Sequence, residues 1–169
     1  ERVNLPAAAQ LPGAGIGHFV NGARLLAQAL QALVQSGVPG ADQARVDEAV
    51  TALAWSLYNP AHAKELAELA VKDTQLGNVP DKIIKKQRKT FGTLRDLLRV
   101  KSVGIIEEDK ARGIVKYAKP VGVICAITPS TNPGATPVNK AMMAIKSRNA
   151  IVIAASPAGL KTTTKTVDY

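Results

Sequence analysis

A chain of 169 residues, 46% of them hydrophobic, is long enough to bury one core and too short for two independent domains. No run approaches the ~18 to 20 consecutive apolar residues that a bilayer-spanning helix needs, so no membrane role is expected. One cysteine and two histidines exclude an internal disulfide framework and leave too few ligands for a zinc site; the metal expectation is none, and a reducing compartment, the cytoplasm, is the default.

The opening ERVNLPAAAQLPG lacks the charged, apolar and small-residue order of a secretory signal, and it lacks an initiator Met, so further sequence upstream is expected. PGAGIGHFVNG resembles a dinucleotide fingerprint, but its glycines fall at Gly13, Gly15 and Gly17 with His18 in place of the third required one. No strand precedes it to aim a helix N-terminus at a pyrophosphate, which makes it a loop. His18 and His62 are far apart and have no carboxylate or second imidazole at an organising spacing.

Residues 1–100 are predicted helical because apolar positions recur three and four apart. Leu26, Leu30, Leu33 and Val34 form one stripe; Val46, Val50, Leu53 and Leu57 form a second, after an Asp42 suited to capping. The breakers SGVPG and YNP end them. A third helix starts near Pro60 and carries Leu66, Leu69 and Ala70 inward as far as Gly77. Pro80 and Asp81 open a fourth, with an expected inward face of Ile83, Ile84, Phe91, Leu94 and Leu98.

That face leaves outside most of a basic block, Lys82, Lys85, Lys86, Arg88, Lys89, Arg95, Arg99 and Lys101, opposed by only Asp81 and Asp96 within a net charge of +9. Such a block attracts nucleic acid or a phosphate-rich small molecule, or is simply a solvated face. Aromatics at 4% offer few rings for stacking bases, which counts against a nucleic-acid partner.

From Ser102 the period changes. VGII and GIVKYA flank the charged turn EEDKAR, a β-hairpin over 102–118 with too few residues for its own core. VGVICAI after Pro120 reads as a strand covered on both faces, with Cys125 a small buried hydrophobe in it. TPSTNPGATP is a loop, Val138 to Lys146 a helix, NAIVIAA a second buried strand, and SPAGLKTTTKTVDY the start of another helix. The fold class is therefore α/β: N-terminal helices, a hairpin, then the first βαβ unit of a Rossmann-like parallel sheet. The 128–133 loop offers the Ser130 and Thr131 hydroxyls and the Asn132 amide where open α/β sheets bind ligands. From these residues alone, a site and an ordinary strand-to-helix turn stand level, because turns favour the same residues.

The 41 residues KPVGVICAITPSTNPGATPVNKAMMAIKSRNAIVIAASPAG resemble the start of the cofactor domain in the aldehyde dehydrogenase superfamily, and PSTNP resembles its coenzyme A-acylating branch. LAVKDTQLGNVPDKIIKK is similar too, with Gln75 where that group has glycine. The resemblance implies that residues 1–169 are the N-terminal portion of an NAD(P)-binding domain. It implies that Thr128, Pro129, Ser130 and Thr131 lie along the nicotinamide half of the dinucleotide, that Ala155 and Ser156 replace a ribose-contacting lysine region, and that Asn132 or Thr131 reaches the substrate oxygen. NAD and NADP stay open, since no acidic residue follows the second strand. It also implies an oligomerisation role for 102–118, a homo-oligomer, and a small aldehyde with coenzyme A as co-substrate. The implied chemistry is thiolate attack on the aldehyde, hydride transfer to the nicotinamide, and acyl transfer to coenzyme A, with the cysteine in a domain beyond residue 169. The competing readings are a basic nucleic-acid-binding module and a non-catalytic assembly element.

Overall fold

The computed structural model describes Gly37 and residues 40–169; the Leu26 to Val34 stripe, the PGAGIGHFVNG segment and His18 lie outside the described residues. Helix α1 spans Gln43–Tyr58, and the Asp42 carboxylate caps it by accepting the Arg45 N–H at 2.8 Å. Its expected stripe is buried in Val46, Val50 and Leu57, with Leu53 half-buried beside them. Helix α2, Pro60–Thr74, begins on a proline whose missing N–H costs nothing there, and Asn59 accepts the Ala61 N–H at 2.9 Å.

Helix α2 stops at Gln75, whose φ of 56° is left-handed. A side chain with a Cβ is strained there, and glycine is the usual occupant of such a helix end. Gln75→Gly is accordingly expected to raise stability by about 0.5–1 kcal/mol, net of the backbone entropy glycine adds to the unfolded chain. A urea midpoint that stays put or falls would refute this.

Helix α3 spans Val79–Leu98. Asn78 caps it, accepting the Asp81 N–H at 2.9 Å and donating to the Asp81 carboxylate at 2.7 Å, a reciprocal cap that the reading from Pro80 missed. The expected inward face is corrected. The row turned inward is Lys82, Lys86 and Thr90, all buried, continued by the half-buried Leu94 and Leu97; Ile83 is half-buried, while Ile84, Phe91 and Leu98 face out. The long aliphatic stems of the lysines fill interior space that the sequence reading assigned to isoleucine. Phe91 instead stands across a cleft of about 640 Å³ from Trp55 and Tyr58 of α1, with Ala52 and Leu94 on its walls.

Strands β1, Gly104–Asp109, and β2, Ile114–Ala118, form the expected antiparallel hairpin, bulged between Ile105 and Glu107. Nearly every residue of both strands is exposed. The Gln43 side chain fastens the hairpin's base to α1, accepting the N–H groups of Ser102 at 2.8 Å and Val103 at 3.2 Å.

Strand β3, Val123–Thr128, then helix α4, Ala135–Lys146, then strand β4, Ala150–Ala155, make the βαβ unit, and β3 pairs with β4 in parallel from Val123↔Ala150 to Thr128↔Ala155. A short 3-10 turn, Pro157–Gly159, leads into α5, Leu160–Val167. At the amino ends of the strands, the buried Asn149 amide oxygen accepts the N–H groups of Val121 at 2.7 Å and Gly122 at 2.8 Å. Val138 and Met142 of α4 join Val46, Val50, Leu57 and Leu66 in one core, and the buried Lys146 ammonium pairs with Asp47 of α1.

Covering of both strand faces is also corrected. Residues alternate between faces along a strand, so Ala126 and Thr128 are buried while Cys125 is exposed and Ile127 is 83% exposed. Cys125 is thus on an open face among the described residues and not a buried hydrophobe.

Candidate functional site

Parallel pairing brings the carboxyl ends of β3 and β4 side by side, so the loops leaving Thr128 and Ala155 share one edge. Thr128 is buried and its hydroxyl donates to the Ala154 carbonyl at 3.1 Å, which locks the two strand ends together and leaves Thr128 as a strut. Pro129 and Thr131 are exposed, and Ser130 and Asn132 are half-buried. The Asn132 carbonyl accepts the Thr136 N–H at 3.2 Å and so begins the turn into α4. Among the described residues no hydrogen bond is made by the side chains of Ser130, Thr131 or Asn132, which leaves two hydroxyls and an amide available at the edge.

Across the edge, Ala155 and Ser156 are half-buried. The Ser156 hydroxyl oxygen is buried with no hydrogen-bond partner. An orphaned buried hydroxyl costs stability, so the Ser156 side chain holds an unmet hydrogen-bonding group at this end of the loop. The sequence-expected residues are therefore brought to one corner, with Thr128 turned into the protein and the others along the edge.

Five residues that sequence reading missed build the floor of this corner. A Cβ on Gly159 would stand 2.7 Å from the Pro133 Cβ, so only glycine lets the two loops approach this closely. The Thr163 hydroxyl donates to the Pro133 carbonyl at 3.0 Å, and the Asp73 carboxylate accepts both the N–H and the hydroxyl of Thr162, at 3.0 and 3.1 Å. Lys86 lies under Gly134, its Cε 3.0 Å from where a Cβ would stand, and burial, with Lys82 and Lys85 nearby, pulls its ammonium down to about 8. The glycine in SPAG was the one visible signal; the others needed contacts across some thirty to ninety positions. No cluster of three or more His, Cys, Asp or Glu side chains able to hold a metal exists among the described residues.

Two parallel strands joined through a helix, with polar loops leaving their carboxyl ends, form a βαβ unit of the open α/β class, whose ligands as a rule bind at such an edge. No family model matches the chain. It is 54% identical over 140 residues to a sulfoacetaldehyde dehydrogenase (acylating) of Cupriavidus necator, covering 83% of this chain and 28% of that protein. It is 45% identical over 143 residues to a sulfoacetaldehyde dehydrogenase (acylating) of Bilophila wadsworthia, covering 85% of this chain and 30% of that protein. Among solved structures, an acetylating aldehyde dehydrogenase from Geobacillus thermoglucosidasius matches with a TM-score of 0.75 at 32% identity, over 85% of this chain and 33% of that one. A probable aldehyde dehydrogenase from Listeria monocytogenes gives a TM-score of 0.77 at 28% identity, over 86% and 32%. The chain belongs to the acylating branch of the aldehyde dehydrogenase superfamily. It spans just under a third of the length of those curated relatives.

Proposed function

We propose that these residues serve an NAD(P)-dependent oxidation of a small aldehyde to its coenzyme A thioester, with this chain supplying part of the cofactor-binding domain. The observation that carries the reading is the parallel register that ends in Thr128↔Ala155, which sets the loop bearing Ser130, Thr131 and Asn132 beside the loop bearing Ser156 at one sheet edge. That donor set fits a dinucleotide: neutral hydroxyls and an amide suit ribose and amide groups, and close loop contact at Gly159 keeps the edge narrow. Ser130 and Thr131 would hold the nicotinamide side and Ala155 and Ser156 the other half. The bound nicotinamide supplies the hydride acceptor, and the chain's own task is to fix its position. Asn132, with Thr131 beside it, would donate to the aldehyde oxygen as negative charge builds there.

The 54% identity to a sulfoacetaldehyde dehydrogenase makes a small polar aldehyde the favoured substrate class. The hairpin, exposed along both strands, would be the oligomerisation ribbon of a homo-oligomer. In an absorbance assay at 340 nm with sulfoacetaldehyde or acetaldehyde, coenzyme A and either nucleotide, the 169-residue chain is expected to be flat. The full reading frame that contains it is expected to reduce the nucleotide only when coenzyme A is present. Reduction independent of coenzyme A, or none with any small aldehyde, would overturn the proposal.

A further inference from the structure

The candidate loop is held at its far end by a bond that an ordinary helix start would not need. In a helix the Pro133 carbonyl would accept the N–H of residue 137, as the Asn132 carbonyl accepts that of Thr136. Residue 137 is a proline and has no N–H. The Pro133 carbonyl is buried, and a buried carbonyl without a donor is costly. Thr163, itself buried on α5, fills the gap with its hydroxyl at 3.0 Å.

Thr163 is in turn held in place. Asp73 of α2 receives the N–H and hydroxyl of the neighbouring Thr162, which anchors the first turn of α5, and Gly159 seats the preceding turn directly on Pro133. The chain of contacts runs from α2 through α5 into the loop, bypassing the strands.

We infer that Thr163 is a positioning residue for the 128–134 loop: by completing the Pro133 carbonyl it fixes the spacing between Ser130, Thr131 and Ser156 that a dinucleotide requires. The identity of the ligand rests on the function proposed above; the positioning itself does not. Thr163 touches no ligand and acts only through the loop.

The test uses the 169-residue chain, its Thr163→Val variant, which keeps the shape and removes the donor, and Thr163→Ser, which keeps the donor. Amide hydrogen exchange is followed residue by residue, with NAD and NADP titrated by calorimetry. Thr163→Val is expected to speed exchange at Ser130, Thr131 and Asn132 about tenfold, the scale of one lost hydrogen bond, while amides of α1 and α2 keep their rates. Nucleotide affinity should fall by a similar factor, and Thr163→Ser should restore both. Unchanged loop exchange in Thr163→Val, or a rise shared equally by α1, overturns the inference. A wild-type chain that binds neither nucleotide overturns the cofactor reading, while the exchange data still decide the role of Thr163.

Discussion

Asp47→Asn is expected to destabilise the chain by about 2 kcal/mol, less than the cost typical of breaking a fully buried ion pair because Lys146 is buried while Asp47 is only half-buried. The side chain of Lys146 is only 4% exposed and pairs with Asp47, which also accepts a hydrogen bond from Gln43 at 3.0 Å. Removing the carboxylate's charge strands an ammonium between α1 and α4, at the contact that holds the βαβ unit on the helical layer. Much of the effect is the burial of a lone charge, not the net worth of the pair. The double variant Asp47→Asn/Lys146→Met is therefore expected to recover most of the loss, since methionine occupies the same buried position without a charge. Urea unfolding of the four proteins in the cycle measures this. A loss under about 1 kcal/mol in the single variant, or no recovery in the double, would show that the pair is not buried as described.

The opposite sign is expected at Lys86. Its ammonium is buried, makes no ion pair or hydrogen bond among the described residues, and is pulled from 10.5 to about 8, chiefly by desolvation. The folded state thus releases this proton more readily than the unfolded chain does. Below pH 8 both states carry the charge and the fold bears the full cost, about 3 kcal/mol at roughly 1.4 kcal/mol per decade. Between pH 8 and 10.5 the unfolded state binds more protons, so the cost shrinks as pH rises, and above 10.5 it is gone. Lys86→Met should accordingly stabilise the chain at pH 7 by up to that amount and be nearly neutral near pH 11. An advantage that does not change with pH would trace the effect to packing and sink the electrostatic explanation.

The element order was legible because local rules set it. Period-three-and-four stripes marked α1 and α2, the change of period at Ser102 marked the hairpin, and two apolar runs around TPSTNP marked the parallel pair. The positions of Ser130, Thr131 and Asn132 followed from the end of the first apolar run, whereas Ser156 entered only through the family resemblance. Errors arose where a rule about residue type met a tertiary neighbour. Lys82 and Lys86 read as surface residues by composition, yet their stems pack inward, because α3 approaches α1, α2 and α4 along the row that contains them. Cys125 and Ile127 read as core because continuous apolar runs suit a doubly covered strand, whereas the described helices cover only one face. Thr163 was invisible, since its role depends on the missing N–H of Pro137, a defect that matters only once α5 lies against the loop.

The outward turn of Trp55 has a practical consequence. It is the only indole in 169 residues, 57% exposed, with the Tyr58 ring 6.0 Å away and Phe91 beyond it across the cleft. Excited selectively at the red edge, it emits as a water-relaxed chromophore, and any body that dries this wall shifts the emission to the blue. The chain therefore carries a label-free optical gauge for one face, and its readings need no correction for a second emitter.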